Sequence, residues 1–153
     1  MKVFRLSRSK FAGDLSGKGA EIAGARWNSK GTAILHTSQS VALCTVELAV
    51  HTPLGNIPSD YTLITLEIPE SIKAAELSES ELPPDWKTLP HANSTQLIGD
   101  KFVSSGKNAV LKVPSVVVPG EYNFLINPSH PDSKGIVIKS AEAFEFGSRL
   151  FVR

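Results

Sequence analysis

The chain has 153 residues, of which 41% are hydrophobic and 20% are charged, a balance typical of one globular domain. Sixteen basic and fifteen acidic side chains leave a formal charge of +1, so the broad basic surface that binds nucleic acid is not expected. No apolar run approaches the roughly 20 residues that span a bilayer. Cys44 is the one cysteine and cannot form an internal disulfide. We therefore expect a cytoplasmic protein with neither a membrane nor a direct nucleic-acid partner.

The first half of the chain predicts two short strands and a helix. A strand over residues 3–6 precedes a glycine-rich loop over 13–24, and a second strand covers 32–36. Ser38 is a suitable N-cap for a helix over residues 39–51, which ends just before Pro53.

Glu47 is the unusual residue of that predicted helix. It shares one face with Leu43, Val46 and Val50 by the i, i+3, i+4, i+7 rule, so its carboxylate is expected to point inward. Burying an unpaired carboxylate costs several kcal/mol in order of magnitude. Glu47 should therefore have a hydrogen-bonding partner or a functional use.

The second half predicts further strands around one more helix. Residues 61–68 alternate as a strand, residues 70–90 read as an acidic, exposed excursion, and a helix over 94–105 ends at Gly106. Five short β-like runs then follow, at residues 109–113, 115–118, 124–126, 135–139 and 150–152. This order predicts a single α+β domain over residues 1–153, with short and mostly antiparallel strands.

Several separated segments together resemble the RES domain family, which is named after an arginine, a glutamate and a serine. They are the run GARWNSKG at residues 24–31, the helix that carries Glu47, the run VPS at 113–115 and the run NFLINPSHP at 123–131. The resemblance extends over nearly the whole chain, with order and spacing kept. Each segment alone would be a weak signal.

The resemblance implies a toxin of a type II toxin–antitoxin module with a fold similar to that of ADP-ribosyltransferases. Members of the family consume NAD by hydrolysis or phosphorolysis, or transfer ADP-ribose to a protein. A cognate helix-turn-helix (Xre-type) antitoxin neutralises them. NAD is then a substrate, and neither a prosthetic group nor a metal is implied.

Carried over by position, the family's arginine, glutamate and serine fall on Arg26, Glu47 and Ser129, which become the predicted catalytic residues. The same resemblance adds Arg5, His36 and Asn127 to the predicted NAD-binding residues. His36 stands where the family commonly has tyrosine. An imidazole can still stack or hydrogen-bond, but it is smaller and titrates near neutrality.

The chemistry that these residue types suit is cleavage of the nicotinamide–ribose bond. Its transition state resembles an oxocarbenium ion, which a carboxylate stabilises. An arginine offers a planar fork to phosphate or ribose oxygens.

Structural interpretations compete with each assignment. Arg26 could stack on Trp27 at the surface, Glu47 could accept structural hydrogen bonds, and Ser129 could be a turn residue between Pro128 and Pro131. Two other functions stay open: a mono-ADP-ribosyltransferase with a protein target, and an inactive binding domain partnered with an antitoxin. The sequence also leaves open whether the chain forms a homodimer.

Overall fold

The computed structural model describes residues 1–152. Its strands are β1 (Lys2–Arg8), β2 (Leu35–Ser38), β3 (Tyr61–Glu67), β4 (Ala75–Glu76), β5 (Val110–Pro114), β6 (Tyr122–Ile126) and β7 (Val137–Phe144). Its α-helices are α1 (Lys18–Ala23), α2 (Val41–Val50) and α3 (Asn93–Ser105), and short 3-10 helices lie in three connections and after β7. None of the helices in this part of the chain is both long and apolar enough to cross a membrane.

The seven strands form one sheet in the order β4-β5-β6-β2-β1-β3-β7. The β4–β5 pair is parallel, and the other neighbouring pairs are antiparallel. The predicted α+β fold with mostly antiparallel strands is thereby confirmed.

Apolar side chains cover both faces of the sheet near β5 and β6. Phe124 and Ile126 belong to one buried cluster, whereas Leu125 belongs to a second cluster with Trp27 and Phe102. This division follows from the two-residue period of a strand, which sends neighbouring side chains to opposite faces. The second cluster fixes α3 against the segment that contains Trp27.

The sheet is weakly joined between β1 and β2. These strands pair at one position, Phe4 with Ser38, whereas β1 and β3 pair at seven positions from Lys2–Glu67 to Arg8–Tyr61. The pair lies at the last residue of β2, and pairing does not continue along β2 towards Leu35, so the two strands diverge in that direction. The divergence leaves room for a cavity inside the sheet layer, next to α2.

Several predicted boundaries are wrong for identifiable reasons. The helix over 39–51 begins two residues later, because Ser40 and not Ser38 is the N-cap: the Ser40 hydroxyl accepts a hydrogen bond from the Leu43 N–H at 3.0 Å. The loop over 13–24 contains α1, which starts directly after Gly17 at a left-handed φ of 71°. Residues 150–152 form the end of a 3-10 helix and a turn, not a strand.

The region over 70–90 is only partly the exposed excursion that its acidic composition predicts. It adds the short strand β4 to the sheet edge and buries the side chain of Trp86. Helix α3 and its end at Gly106, whose φ is 59°, agree with prediction. Its buried face is formed by Thr95, Gly99 and Phe102, while Leu97 is exposed.

Gly99 is required by the packing of α3, which gives a first prediction. A Cβ at this position would lie 1.5 Å from the Trp27 carbonyl oxygen. We expect Gly99→Ala to lower the free energy of unfolding by at least about 1–3 kcal/mol, measured by urea unfolding, because backbone must move to admit the methyl group. Gly19→Ala is the matched control, since Gly19 is also helical and a Cβ there meets nothing within 4 Å. Equal stability of the two variants would contradict this packing.

Candidate active site

A cavity of about 780 Å³ lies where β1 and β2 diverge. It is lined by residues 4–6 of β1, 36–38 of β2, the α2 residues Cys44, Glu47, Leu48 and Val50, and by parts of the segments 24–27, 89–91 and 116–117, with His51 and Asn123. Pockets of a few hundred to a thousand Å³ suit small ligands and cofactors. A second concavity of about 730 Å³, lined by residues 147–150 and 152, has one ionisable side chain, Arg149. The first cavity, which has more ionisable side chains in its lining, is therefore the candidate active site.

Glu47 projects from α2 into the cavity and is held by two hydrogen bonds to one of its oxygens. The Ser115 hydroxyl donates to Oε1 at 2.9 Å and the Asn123 amide donates to the same oxygen at 2.8 Å. Among residues 1–152, Oε2 of Glu47 has no hydrogen-bond partner, and it is not sealed from solvent. One oxygen is therefore structural, and the other is available to a ligand.

The donors to Glu47 are themselves fixed. The N–H groups of Val117 and Val118 donate to the Ser115 oxygen at 3.1 and 3.0 Å, so its hydroxyl hydrogen is directed at Glu47. The Ser38 hydroxyl donates to the side-chain oxygen Oδ1 of Asn123 at 2.8 Å, which turns the side-chain nitrogen of Asn123 towards the carboxylate. The carboxylate thus has one preferred orientation.

Arg26 is positioned by the core through its neighbour Trp27, which is 4% exposed. Its Nη1 donates to the carbonyl oxygens of Trp86 at 2.7 Å and Thr88 at 3.2 Å. Partial burial lowers the pKa of Arg26, an effect that the nearby Glu47 charge partly offsets. The guanidinium therefore ties the 86–88 segment to the cavity wall, while Nε and Nη2 have no partner in residues 1–152. The stacking of Arg26 on Trp27 is not observed.

Arg5 reaches the cavity from β1. Its Nη1 donates to the Asp14 carbonyl oxygen at 2.9 Å, and burial lowers its pKa, although the Asp14 charge opposes that shift. None of the ion pairs in residues 1–152 includes Arg5, Arg26 or Glu47. The cavity therefore contains two guanidinium groups and a carboxylate that are not paired with a counter-ion.

His36 lies on β2 at the cavity wall, with its Nε2 3.1 Å from the Asn28 side-chain oxygen. Burial, assisted by the Arg5 charge, lowers the pKa of His36 to about 4. The imidazole is therefore neutral at pH 7. Burial raises the pKa of the neighbouring Cys44 to about 11, so this thiol is protonated and is not an activated nucleophile.

Comparisons with known proteins identify the family of the chain. The sequence model of the RES domain family matches residues 2–147. The chain belongs to the RES domain family. It is 39% identical over 146 residues to the Prs ADP-ribosylating toxin of Sphingobium sp. strain YBL2, covering 94% of this chain and 91% of the relative. It is 33% identical over 153 residues to Toxin Res of Photorhabdus laumondii, covering 98% and 97% of the two chains.

A solved structure shares the fold of this RES domain. It is that of the Mycobacterium tuberculosis MbcT–MbcA toxin–antitoxin complex, with a TM-score of 0.72 at 17% identity, covering 98% of this chain and 86% of the other. At this identity the match shows the common fold alone.

Four of the six predicted site residues line the cavity of this RES domain: Arg5, Arg26, His36 and Glu47. Ser129 and Asn127 do not. Asn127 lies four residues beyond Asn123, about 13 Å along an extended strand, and its buried amide donates to the Val103 carbonyl at 3.3 Å. The Asn127 oxygen accepts from the Ser129 N–H at 3.0 Å, so Asn127 and Ser129 form a turn at the far end of β6.

Sequence reasoning assigned no role to Ser115 or Asn123, the two donors to Glu47. Both residues stand in the runs 113–115 and 123–131 that carry the family resemblance, but only the register of the structure, in which β5 and β6 pair Pro114 with Tyr122, places Ser115 near Asn123. Leu89 and His91, which line the cavity from the 70–90 region, had no recognisable sequence signal. Groups of three or more potential metal-ligating side chains are absent from the described residues.

The low pKa of His36 predicts a pH-dependent stability. The unfolded chain binds a proton at His36 near pH 6.5 and the folded chain only near pH 4. The contribution to the free energy of unfolding is therefore fully present above pH 6.5 and is lost as the pH falls towards 4, by up to about 3 kcal/mol. His36→Phe, which cannot titrate, should show a smaller decrease between pH 7 and pH 4.5 in urea unfolding. Identical decreases in the two proteins would contradict the prediction.

Proposed function

We propose that this RES-domain protein is the toxin of a toxin–antitoxin module and that it cleaves the nicotinamide–ribose bond of NAD. The names of the relatives as toxins support the first part, and the cavity chemistry supports the second. The observation that carries the proposal is the free Oε2 of Glu47, in a cavity that also contains Arg5 and Arg26 without counter-ions. Such a site favours a ligand with both anionic groups and a developing cation.

Glu47 is the proposed catalytic residue. As nicotinamide leaves, positive charge develops on the ribose C1′ and ring oxygen, and a fixed carboxylate stabilises that charge. The hydrogen bonds from Ser115 and Asn123 keep the carboxylate in place before the substrate arrives, so little reorganisation is needed in the transition state. Nicotinamide departs as a neutral group and needs no strong general acid.

The arginines are the proposed anchors of the pyrophosphate. Arg26 has a fixed main chain and unpartnered Nε and Nη2 donors, and Arg5 approaches from β1. Guanidinium groups bind phosphate oxygens with two parallel hydrogen bonds, which a lysine cannot provide. His36 forms the neighbouring wall.

A second function is transfer of ADP-ribose to a protein, which the name of the Sphingobium relative favours. Both functions use the same bond cleavage and differ in the acceptor, which is water or phosphate in one and a side chain in the other. We also propose an antitoxin as the protein partner, because the structural neighbour was solved as a toxin–antitoxin complex. The Xre type of that antitoxin follows from the family resemblance.

The primary test is nicotinamide release from NAD by the purified protein and by Glu47→Gln. Glutamine keeps an oxygen for Ser115 and Asn123 but removes the negative charge, so we expect a decrease in kcat of at least about 100-fold with the fold retained. Glu142→Gln, on the exposed face of β7, is the matched control and should be unchanged.

The reaction products identify the group that accepts the ADP-ribose. Mass analysis in buffers with and without phosphate separates hydrolysis from phosphorolysis, and labelled NAD incubated with cell extract detects transfer to a protein. If the wild-type protein released no nicotinamide above background, the enzyme proposal would fail and the inactive binding domain would be favoured.

Two serines test the geometry of the site. Ser115→Ala removes a hydrogen bond to a charged group, for which we expect a decrease in kcat of about 10- to 100-fold. Ser129→Ala changes a residue outside the cavity, and its kcat should stay within about twofold of wild type. The reverse order of effects would restore Ser129 to the site and refute the role given to Ser115.

A further inference from the structure

Asn28 is a wholly buried amide whose orientation can be assigned from its surroundings. Its Nδ2 lies 2.8 Å from the Ala20 carbonyl oxygen, 3.1 Å from that of Thr32 and 3.3 Å from that of Ser29. The reversed amide would place Oδ1 against three other oxygen atoms, which is repulsive. Therefore Nδ2 faces the carbonyls, and Oδ1 faces His36.

This orientation determines the tautomer of His36. Oδ1 of an amide can only accept a hydrogen bond, so the His36 Nε2 at 3.1 Å must carry the hydrogen. A neutral imidazole has one N–H, which leaves Nδ1 as an acceptor with a lone pair. Burial keeps the ring neutral, and the Arg5 charge adds to this effect. The other ionisable groups at the cavity wall are Arg26, Cys44, Glu47, His51 and His91.

The acceptor atom is open to the cavity. Every buried side-chain nitrogen or oxygen in residues 1–152 has a hydrogen-bond partner. Nδ1 of His36 has none in that range, so it is not one of the buried atoms. Nδ1 is therefore accessible, and His36 is a cavity-lining residue. A ligand in the cavity meets an atom that can accept a hydrogen bond and cannot donate one.

We infer that Asn28 is a positioning residue that fixes His36 as the Nε2–H tautomer, and that Nδ1 of His36 selects a hydrogen-bond donor on the ligand. The donor is an amide N–H or a sugar hydroxyl. The identity of the ligand as NAD rests on the proposed function, whereas the tautomer does not. A phenol in place of the imidazole, as in His36→Tyr, both donates and accepts through its hydroxyl and would lose this selectivity.

The tautomer is tested directly by ¹⁵N-detected NMR of the histidine rings in the wild-type protein. The His36 signal is assigned by its absence in His36→Tyr. We expect the Nε2–H form alone between pH 5.5 and 8, and an added Nδ1–H population in Asn28→Ala if that variant folds. The Nδ1–H form, a mixture of forms or a charged ring in the wild type would overturn the inference, whether or not Asn28→Ala folds.

The selectivity is tested with NAD, with its nicotinic acid analogue, whose carboxylate only accepts, and with 2′- and 3′-deoxyribose analogues. In the wild type, the analogue that lacks the relevant donor should have a KM about 2- to 10-fold above that of NAD. This difference should disappear in His36→Phe, and the analogue affected tells whether the amide or a hydroxyl is the donor. Unchanged preferences in His36→Phe would refute the selectivity. A wild-type protein that neither binds nor cleaves NAD would overturn the proposed function and this selectivity, while the NMR spectrum would still decide the tautomer.

Discussion

The hydrogen bonds from Ser115 and Asn123 to one oxygen of Glu47 are the interaction on which the site depends. A partly buried carboxylate without a cationic partner is costly, and two directed donors offset part of that cost. The same bonds join helix α2 to the adjacent ends of strands β5 and β6. The carboxylate is thus a structural link through one oxygen and a chemical group through the other.

The cavity lies between β1 and β2, where the sheet has little strand pairing. Extended pairing of β1 with β2 would bring their backbones to the usual spacing of less than 5 Å and would leave no room for a ligand. The single pairing of Phe4 with Ser38 keeps the strands in one sheet but lets them diverge, so that Arg5 and His36 line the same cavity from two strands. The stability missing here is supplied by β3, which pairs along the whole length of β1.

The sequence predicts an element correctly where its local signals agree with one another, and wrongly where a side-chain hydrogen bond competes with the predicted pairing. Strand β3 and helix α3 were predictable, because their periodicity and the end signal at Gly106 agree with one another. Residues 115–118 were predicted as a strand from three consecutive valines, but they form a turn. The Ser115 oxygen accepts from the N–H groups of Val117 and Val118, which removes those donors from any sheet ladder.

The residues of the candidate site also differ in how well the sequence predicts them. Arg26 and Glu47 were predicted from the resemblance to the RES domain, and the helical pattern around Glu47 also indicated that its carboxylate points inward. Both residues line the cavity. Ser115 and Ser129 both follow proline, so this local feature does not rank them as site residues. The register of β5 with β6 separates them, and register is set by packing over the whole sheet.

The position of Arg26 is fixed by packing in the core, outside the cavity. Helix α3 has glycine at position 99, which allows the helix to pack directly against the Trp27 carbonyl, and the Trp27 ring is buried beside Phe102. The main chain of Arg26 is therefore fixed by a helix that does not contribute to the cavity. From that fixed point, Nη1 holds the carbonyl oxygens of Trp86 and Thr88, which are neutral acceptors. A phosphate oxygen is a stronger acceptor for a guanidinium than a neutral carbonyl is, which supports the proposed role of Arg26 as an anchor for an anionic ligand.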